Sequence, residues 1–437
     1  MAPYLACHSP TCGRRYELSE VVYSCGNCGS LLEVVNSFED ASADRLKSLW
    51  QQRRTSLAKV DVSGVWRFRE MLPFVTDTDR IVTLPEGNTP LFDAPRAAPY
   101  AGLASLQFKH QGYNPTASFK DNGMTAGVTQ AAILGLRRVA CVSTGNTSAS
   151  LAAYAAASGM QAAIFLPAGN IAYGKLAQAL EYGALTIQVE ANFDQILALV
   201  REMADELGIY LLNSVNPFRI EGQKSIVIEM LEQRGWRVPD WIVLPGGNLG
   251  NISALGKGLR ELYAAGLIDA LPRVAVVQAA GSAPFERLFR EGGVLRAVRK
   301  PETLATAIRI GDPVSWRKAD SEVKALSGLV ESVTEHEIAD AKAVIGRCGI
   351  GSEPASAATL AGIRKLVAAG TIEPDADVAA ILTGHLLKDP DYVYRYHSGQ
   401  LQTPSGERIQ ATFGNPPVTA PHDRAAIKDL LLRSADQ

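Results

Sequence analysis

Between residues 105 and 278 the chain repeats one pattern: a short apolar run, a polar or glycine-rich loop, then a stretch of helical periodicity. The apolar runs fall at 105–109, 138–142, 161–166, 185–189, 209–212, 241–244 and 273–278, and a last one falls at 378–382. The expected helices between them cover 123–134, 148–158, 173–182, 193–207, 220–235 and 252–264. Strands that read as continuous apolar runs are covered on both faces, and strands alternating with helices pair in parallel. The pattern therefore predicts an α/β chain built on open parallel sheets. Such sheets bind ligands at the carboxyl ends of their strands, so the loops after each run are where chemistry is expected.

Four of those loops are unusual. The first is Asn114-Pro115-Thr116-Ala117-Ser118-Phe119-Lys120-Asp121. Pro115 and Thr116 read as a turn, and Ser118 with Asp121 three residues on reads as a capping box. Lys120 then stands at the start of a helix. The positive helix end and apolar neighbours lower an ammonium pKa, which suits a Schiff-base lysine; the plain alternative is a solvated surface lysine. The second loop, Ser143-Thr144-Gly145-Asn146-Thr147-Ser148, puts hydroxyls, an amide and backbone N–H groups at a helix start, a setting for a carboxylate or phosphate. The third, Leu244-Pro245-Gly246-Gly247-Asn248-Leu249-Gly250-Asn251, is a glycine-rich anion cradle. Its spacing fits neither a nucleotide P-loop nor the dinucleotide fingerprint, so a phosphate monoester is the expected guest. The fourth, Thr383-Gly384-His385-Leu386-Leu387-Lys388-Asp389, offers the Thr383 hydroxyl to the cleft, with His385 read as a structural partner. No His-Glu-x-x-His and no Gly-x-Ser-x-Gly occurs, so neither a metallohydrolase nor a serine-hydrolase reading is supported.

The first 35 residues form a separate unit. Cys7 and Cys12 are four residues apart, Cys25 and Cys28 two apart, and twelve residues separate the pairs. Two facing knuckles of this kind supply four thiolates to a structural, tetrahedral zinc; the alternative is a ribbon without metal. His8 is a spare ligand, and strand-like segments are expected at 20–23 and 31–35. Residues 36–80 read as amphipathic helix packed on the main body, and the tail after 415 as a helix. Cys141 and Cys348 read as small apolar residues.

A lysine for an aldehyde, a glycine loop for a phosphate, an amide for a ring hydroxyl and a hydroxyl for a ring nitrogen together fit pyridoxal 5'-phosphate. The residues carrying these roles resemble those of the threonine synthases, within the tryptophan-synthase-β type of pyridoxal-phosphate enzymes. The resemblance runs in order from about 80 to 390, through Glu86-Gly87-Asn88-Thr89-Pro90-Leu91, the Lys120 loop, 143–148, 213–224, 246–251, 305–313, Glu353-Pro354-Ala355-Ser356-Ala357-Ala358 and Thr383-Gly384-His385. It implies two open α/β domains with the cofactor between them and a small zinc-ribbon-like module in front. The expected division is 1–35 for the ribbon, 36–112 with 216–437 for the large cofactor-binding domain, and 113–215 for the small one. It implies Lys120 as Schiff-base lysine and proton shuttle, Asn146 on the ring 3-hydroxyl, Gly247, Asn248, Leu249, Gly250 and Asn251 around the cofactor phosphate, and Thr383 at the pyridine nitrogen. Ser143, Thr144, Thr147, Asn213, Ser214, Arg219 and Asn248 resemble the set for the substrate's phosphate and carboxylate. Gln111, Ala117, Asn122 and Leu386 depart from the pattern, where an acid, Gly, Arg and Gly are frequent.

The implied reaction converts O-phospho-L-homoserine and water to L-threonine and phosphate, with Lys120 moving the α and then the β proton. Phosphate leaves the γ carbon, and the freed ion can assist as acid or base. The rivals are a dehydratase, a cysteine synthase, a cysteate synthase, or an inactive paralogue that binds. The net charge of −2 and the lack of a basic stripe argue against a nucleic-acid partner. The uncharged stretch 139–174 is punctuated by Thr144, Gly145, Asn146, Gly159, Pro167 and Gly169, unlike a membrane span of roughly 20 apolar residues. No signal peptide is read at Met1, so a cytoplasmic chain is expected, and a homodimer is the expected assembly.

Overall fold

The computed structural model describes residues 2–38, 42–169, 173–191 and 193–434. Three sheets organise it. A small antiparallel sheet, in the order β2-β1-β3, joins β1 (Tyr4–Cys7), β2 (Arg15–Tyr16) and β3 (Leu32–Val35). The largest contains β4 (Leu91–Asp93), β5 (Gln107–His110), β10 (Trp241–Pro245), β11 (Arg273–Ala279), β12 (Leu329–Val333) and β13 (Val378–Leu382), in the order β12-β11-β10-β13-β5-β4. Only the edge pair β4–β5 is antiparallel. The third is all parallel, with β6 (Arg138–Val142), β7 (Gln161–Pro167), β8 (Leu185–Val189) and β9 (Ile209–Leu211) in the order β8-β7-β6-β9.

Continuous apolar strands do have two dry faces here. Ile242, Leu244, Val274, Val276 and Ile381 enter one core, while their chain neighbours Val243, Ala275, Val277, Ala380 and Leu382 enter another. The smaller sheet divides the same way. Val139, Cys141, Ile164 and Leu166 pack on one side, and Ala140, Val142, Phe165 and Leu211 on the other.

Three local expectations are corrected. The helix expected over 220–235 is two helices, Pro217–Gln223 and Ser225–Gln233. The first starts early because Asn216 caps it, accepting from Phe218 N at 3.0 Å, with Pro217 at the first helical position. Among the described residues of 36–80 the helical elements are Ala43–Arg53, the four-residue Lys59–Val62 and a 3-10 turn, Trp66–Met71, besides a second short 3-10 turn. Leu46 and Trp50 form the buried face of that first helix and join Trp66, Phe68 and Met71 in the core of the large sheet, so the segment packs on the main body as expected while its helix ends at Arg53. The strand expected at 20–23 is not formed; β1 pairs with Arg15–Tyr16 instead.

Glycines set the approach of the two helices that bear Lys120 and Arg219. Helix Lys120–Ile133 meets helix Pro217–Gln223 so closely that a Cβ on Gly222 would lie 1.9 Å from Asn122 O. A Cβ on Gly123 would lie 2.9 Å from Arg219 O. No larger side chain fits that crossing, and it brings Lys120 and Arg219 to the same end of the cleft.

The N-terminal ribbon touches both sheet systems. On the large-sheet side, Lys257 Nζ donates to Val34 O, Lys318 Nζ to Leu32 O at 2.5 Å, and Asn36 Nδ2 to Glu221 at 2.9 Å and Glu261 at 3.0 Å. On the other side, Gln130 Nε2 donates to Leu18 O at 2.8 Å and Leu211 N to the Tyr23 hydroxyl at 2.7 Å. Glu33, facing Lys318, Lys257 and His8, has its carboxyl drawn down to about 2 despite burial; the hydrogen bond from His8 is the largest of the opposing effects. Among the described residues no helix is long and apolar enough to cross a membrane.

Candidate active site

The loop before Lys120 is stitched to the end of β13. Phe119 N donates to Thr383 O at 2.9 Å, His385 N donates to Ala117 O at 3.1 Å, and Ser118 bridges Gly384. The turn needs a left-handed residue, and Ala117 supplies it at φ +64°. Here the frequent glycine has a physical reason, since a Cβ in that region costs about 1–2 kcal/mol. Ala117→Gly is expected to raise the stability of the cofactor-free protein by about 0.5–1 kcal/mol once glycine's extra chain entropy is offset. A urea midpoint that falls instead would mean the turn is not strained.

The expected capping box is not formed. The helix starts at Lys120, as expected, but Ser118 Oγ accepts from Lys120 N at 3.4 Å rather than from Asp121 N, and Phe119 at the N-cap makes no side-chain cap bond. Asp121 points back into the loop and accepts from Thr116 N at 2.7 Å, Thr116 Oγ1 at 2.6 Å and Ser150 Oγ at 2.5 Å. Burial raises its carboxyl to about 6 against those bonds. Lys120 Nζ lies over the Phe119 ring, 3.9 Å from its centroid. Burial pushes its pKa down to about 7; Arg219 pushes the same way and Glu353 opposes. A lysine amine that is neutral near pH 7 is a nucleophile toward carbonyls and a base.

Glu353 ties the expected ring contacts together, and it was not among the sequence-derived site residues. Its Oε2 accepts from Asn146 Nδ2 at 3.1 Å and its Oε1 from Thr383 Oγ1 at 3.1 Å. Ser356 Oγ lies 2.9 Å from Thr383 Oγ1 and accepts from Thr383 N at 2.8 Å and Gly384 N at 3.1 Å. A Cβ on Gly384 would sit 2.5 Å from the Glu353 carboxyl carbon, so glycine there admits the acid. In sequence Glu353 precedes Pro354 at a helix start, which looks like an ordinary acidic cap; it lies in the stretch Glu353-Pro354-Ala355-Ser356-Ala357-Ala358 that carries the resemblance, but the resemblance assigns it no role.

The glycine loop follows β10 and opens the helix Gly250–Ala264. Leu249 takes the left-handed conformation at φ +64° just before it. Gly247 leaves room for a second strand of chain, because a Cβ there would be 3.1 Å from Ala307 O. Among the described residues no acceptor faces the N–H groups of Gly250, Asn251 and Ile252, and Asn251 Nδ2 is buried with no partner. Asn248 is turned toward the 313–315 segment: its backbone O accepts from Ser315 N at 3.3 Å and its Oδ1 from Val314 N at 3.5 Å.

Arg219 is among the largest fully buried side chains. Its Nη1 donates to Leu212 O at 3.0 Å, its Nε has no partner, and no carboxylate pairs with it among the described residues. Burial pushes the guanidinium down to about 10, with Cys141 opposing. A buried cation without an anion is costly, and it marks a place for one.

The remaining expected substrate residues are less drawn together. Asn213 has both ends of its amide on Val142, accepting from its N at 3.1 Å and donating to its O at 3.0 Å. Ser143 Oγ accepts from Gly145 N at 3.2 Å, Thr144 is exposed, and Thr147 and Ser214 are half-buried.

In the ribbon the four sulfurs of Cys7, Cys12, Cys25 and Cys28 lie within 4.8 Å of one another. Cys7 and Cys28 are 3.4 Å apart and Cys12 and Cys25 3.6 Å, close to the about 3.8 Å separation of thiolates on a tetrahedral zinc. His8 stays out of this set and faces Glu33 at 3.8 Å. Cys141 is fully buried, its thiol pushed up to about 12 by that burial.

A neutral buried lysine, a glycine loop with free amides and orphaned polar groups, and an amide and a hydroxyl on one carboxylate fit a carbonyl cofactor that carries a phosphate. The comparisons agree. The model of the "pyridoxal-phosphate dependent enzyme" family matches residues 82–384. The threonine synthase of Methanocaldococcus jannaschii is 47% identical over 386 residues, covering 88% of this chain and 93% of that protein. That of Mycobacterium leprae is 48% identical over 327 residues, covering 74% of this chain and 88% of its own. Among solved structures, the threonine synthase of Escherichia coli shares the fold at a TM-score of 0.68 and 17% identity, covering 99% of this chain and all of that one. The chain belongs to the pyridoxal-phosphate-dependent enzyme family, in the group that holds the threonine synthases.

Proposed function

We infer that the protein is a threonine synthase, converting O-phospho-L-homoserine and water to L-threonine and phosphate, the last step of threonine biosynthesis. One observation carries this beyond the family: Arg219, a buried guanidinium with no carboxylate partner among the described residues and an unmet Nε, lies close enough for its charge to bear on Lys120. A phosphorylated amino acid satisfies both.

Pyridoxal phosphate, when bound, supplies an aldehyde for amines and a ring that takes up electron density from the substrate's carbons. Lys120 Nζ would hold the aldehyde, and its depressed pKa would let it carry protons at neutral pH. Asn146 and Thr383 hold the two polar edges of the ring, and Glu353 fixes both. A hydroxyl at the ring nitrogen holds it less protonated than a carboxylate would. Gly247, Asn248, Leu249, Gly250 and Asn251 hold the cofactor's phosphate on the helix N-terminus. Arg219 binds the substrate's phosphate, and Ser143, Thr144, Thr147, Asn213, Ser214 and Asn248 bind that group and the carboxylate. Cys7, Cys12, Cys25 and Cys28 hold a structural zinc. The working unit is a cytoplasmic homodimer that needs no nucleic acid. Each chain is divided into 1–35, 36–112 with 216–437, and 113–215.

The test is a stoichiometric assay of cofactor-loaded protein with O-phospho-L-homoserine. Threonine and phosphate in equal amounts are expected. Phosphate without threonine would sink the reading, and turnover of O-phosphoserine with sulfite would replace it with cysteate synthesis.

A further inference from the structure

Ser315 stands at the N-cap of the helix Trp316–Ala325 but does not cap it. Serine is favoured at that position because its oxygen accepts from the first-turn amides. Here the hydroxyl turns away, is 1% exposed, and has no hydrogen-bond partner among the described residues. An unmet buried hydroxyl is costly, so its orientation calls for a ligand. It faces the glycine loop. The point a Cβ would occupy on Gly250 is 3.9 Å from Ser315 Oγ and 4.0 Å from Gln223 Oε1. Gln223 is also buried, at 4% exposed, and that oxygen is unpartnered. Gln223 lies one turn beyond Arg219 on the same helix face, since residues four apart are neighbours.

Ser315 Oγ and Gln223 Oε1 therefore both lie within about 4 Å of one point beside Gly250. The unpaired amides of the Gly250–Ala264 helix and Asn251 Nδ2 border the same loop. Two helix N-termini meet there, because Ser315 N is bonded to Asn248 O. Both ends favour negative charge. A hydroxyl can donate to an anion, and a half-turn of the Gln223 amide presents Nε2 in place of Oε1.

We propose that Ser315 and Gln223 are ligands of the cofactor's phosphate, completing a seat that the glycine loop begins. This rests on the reading of that loop as the phosphate cradle. It assigns two side chains from outside the loop, on the Arg219 helix and at the start of Trp316–Ala325.

The test titrates cofactor-free protein with pyridoxal 5'-phosphate and, separately, with pyridoxal, which keeps the aldehyde and lacks the phosphate. Bound cofactor is read from its absorbance. The unmodified protein is expected to prefer the phosphorylated form strongly. Ser315→Ala and Gln223→Leu are each expected to weaken pyridoxal 5'-phosphate about tenfold or more, the value of one charge-assisted hydrogen bond, and to leave pyridoxal unchanged. Gln223→Glu, nearly the same shape with a repelling charge, is expected to lose more than Gln223→Leu. Unchanged pyridoxal binding also certifies that each variant is folded. Equal losses for both compounds, or no loss for the phosphorylated one, would overturn the assignment while leaving the proposed reaction standing. If the unmodified protein does not distinguish the two compounds, the cradle itself is wrongly placed and the assignment falls with it.

Discussion

Lys120→Ala is expected to lower threonine formation by about ten-thousandfold or more, since one group serves as both nucleophile and proton carrier. Borohydride should no longer fix cofactor to the chain. Retained turnover would refute the role. A second readout needs no substrate. In the folded protein the Lys120 ammonium loses its proton near pH 7, against an ordinary 10.5 when the chain is unfolded. Between those values the unfolded chain holds more protons than the folded one, so stability rises with pH. Below about 7 the burial cost stands in full; it is relieved by about 3–5 kcal/mol as pH climbs through that window. Cofactor-free Lys120→Met, uncharged and similar in length, is expected to lose that slope. Denaturant midpoints from pH 6 to 10 check it, and an unchanged slope would mean that Lys120 reaches solvent.

Arg219→Ala is expected to raise KM for O-phospho-L-homoserine by about a hundredfold, because a buried charge-assisted pair with a dianion is worth several kcal/mol. Affinity for pyridoxal 5'-phosphate should fall far less. Arg219→Lys is not expected to rescue, since an ammonium lacks the planar fork and its Leu212 contact. The same residue burdens the empty protein. Its folded pKa of about 10, below the ordinary 12.5, means the charge is disfavoured inside at every pH under 10. Cofactor-free Arg219→Met should therefore melt higher than the parent at pH 8, while gaining less from added phosphate. A lower melting temperature with an unchanged KM would remove Arg219 from the site.

What the sequence discloses follows the range of the forces involved. Strands β6, β8 and β13 fall at their expected limits, because a run buried on both faces is legible residue by residue. Boundaries decided by a cap or by tertiary packing were not: Asn216 starts its helix early, and Lys224 divides what periodicity reads as one helix. The Ser118–Asp121 spacing is right for a capping box, yet Asp121 has better partners in Thr116 and Ser150. Lys120 and Arg219 stand out because their neighbours form unusual motifs. Glu353 and Gln223 lie in stretches that carry the resemblance yet, like Ser315, receive no role from it, since each is placed by a contact across the fold and looks locally like a cap or a helix residue. Strand β12 and the helices Glu335–Arg347 and Pro354–Ala368 lie beyond the regular alternation, which gives no cue to them.

The order of the large sheet fixes an order of assembly. β5 is made early, but its parallel neighbour is β13, which also separates it from β10. Until Val378–Leu382 leaves the ribosome, β5 keeps an open edge and the Lys120 loop has no Thr383 to hold it. The sheet of β6 to β9 comes from one continuous stretch and waits for nothing downstream. Closing the long loop between β5 and β13 is the slow, entropically costly event. Pulse-labelled exchange during refolding is expected to protect the amides of β6 and β7 before those of β5 and β13, and simultaneous protection would contradict this. The last strand to be synthesised would then be the one that turns a folded but inert chain into a protein able to take its cofactor.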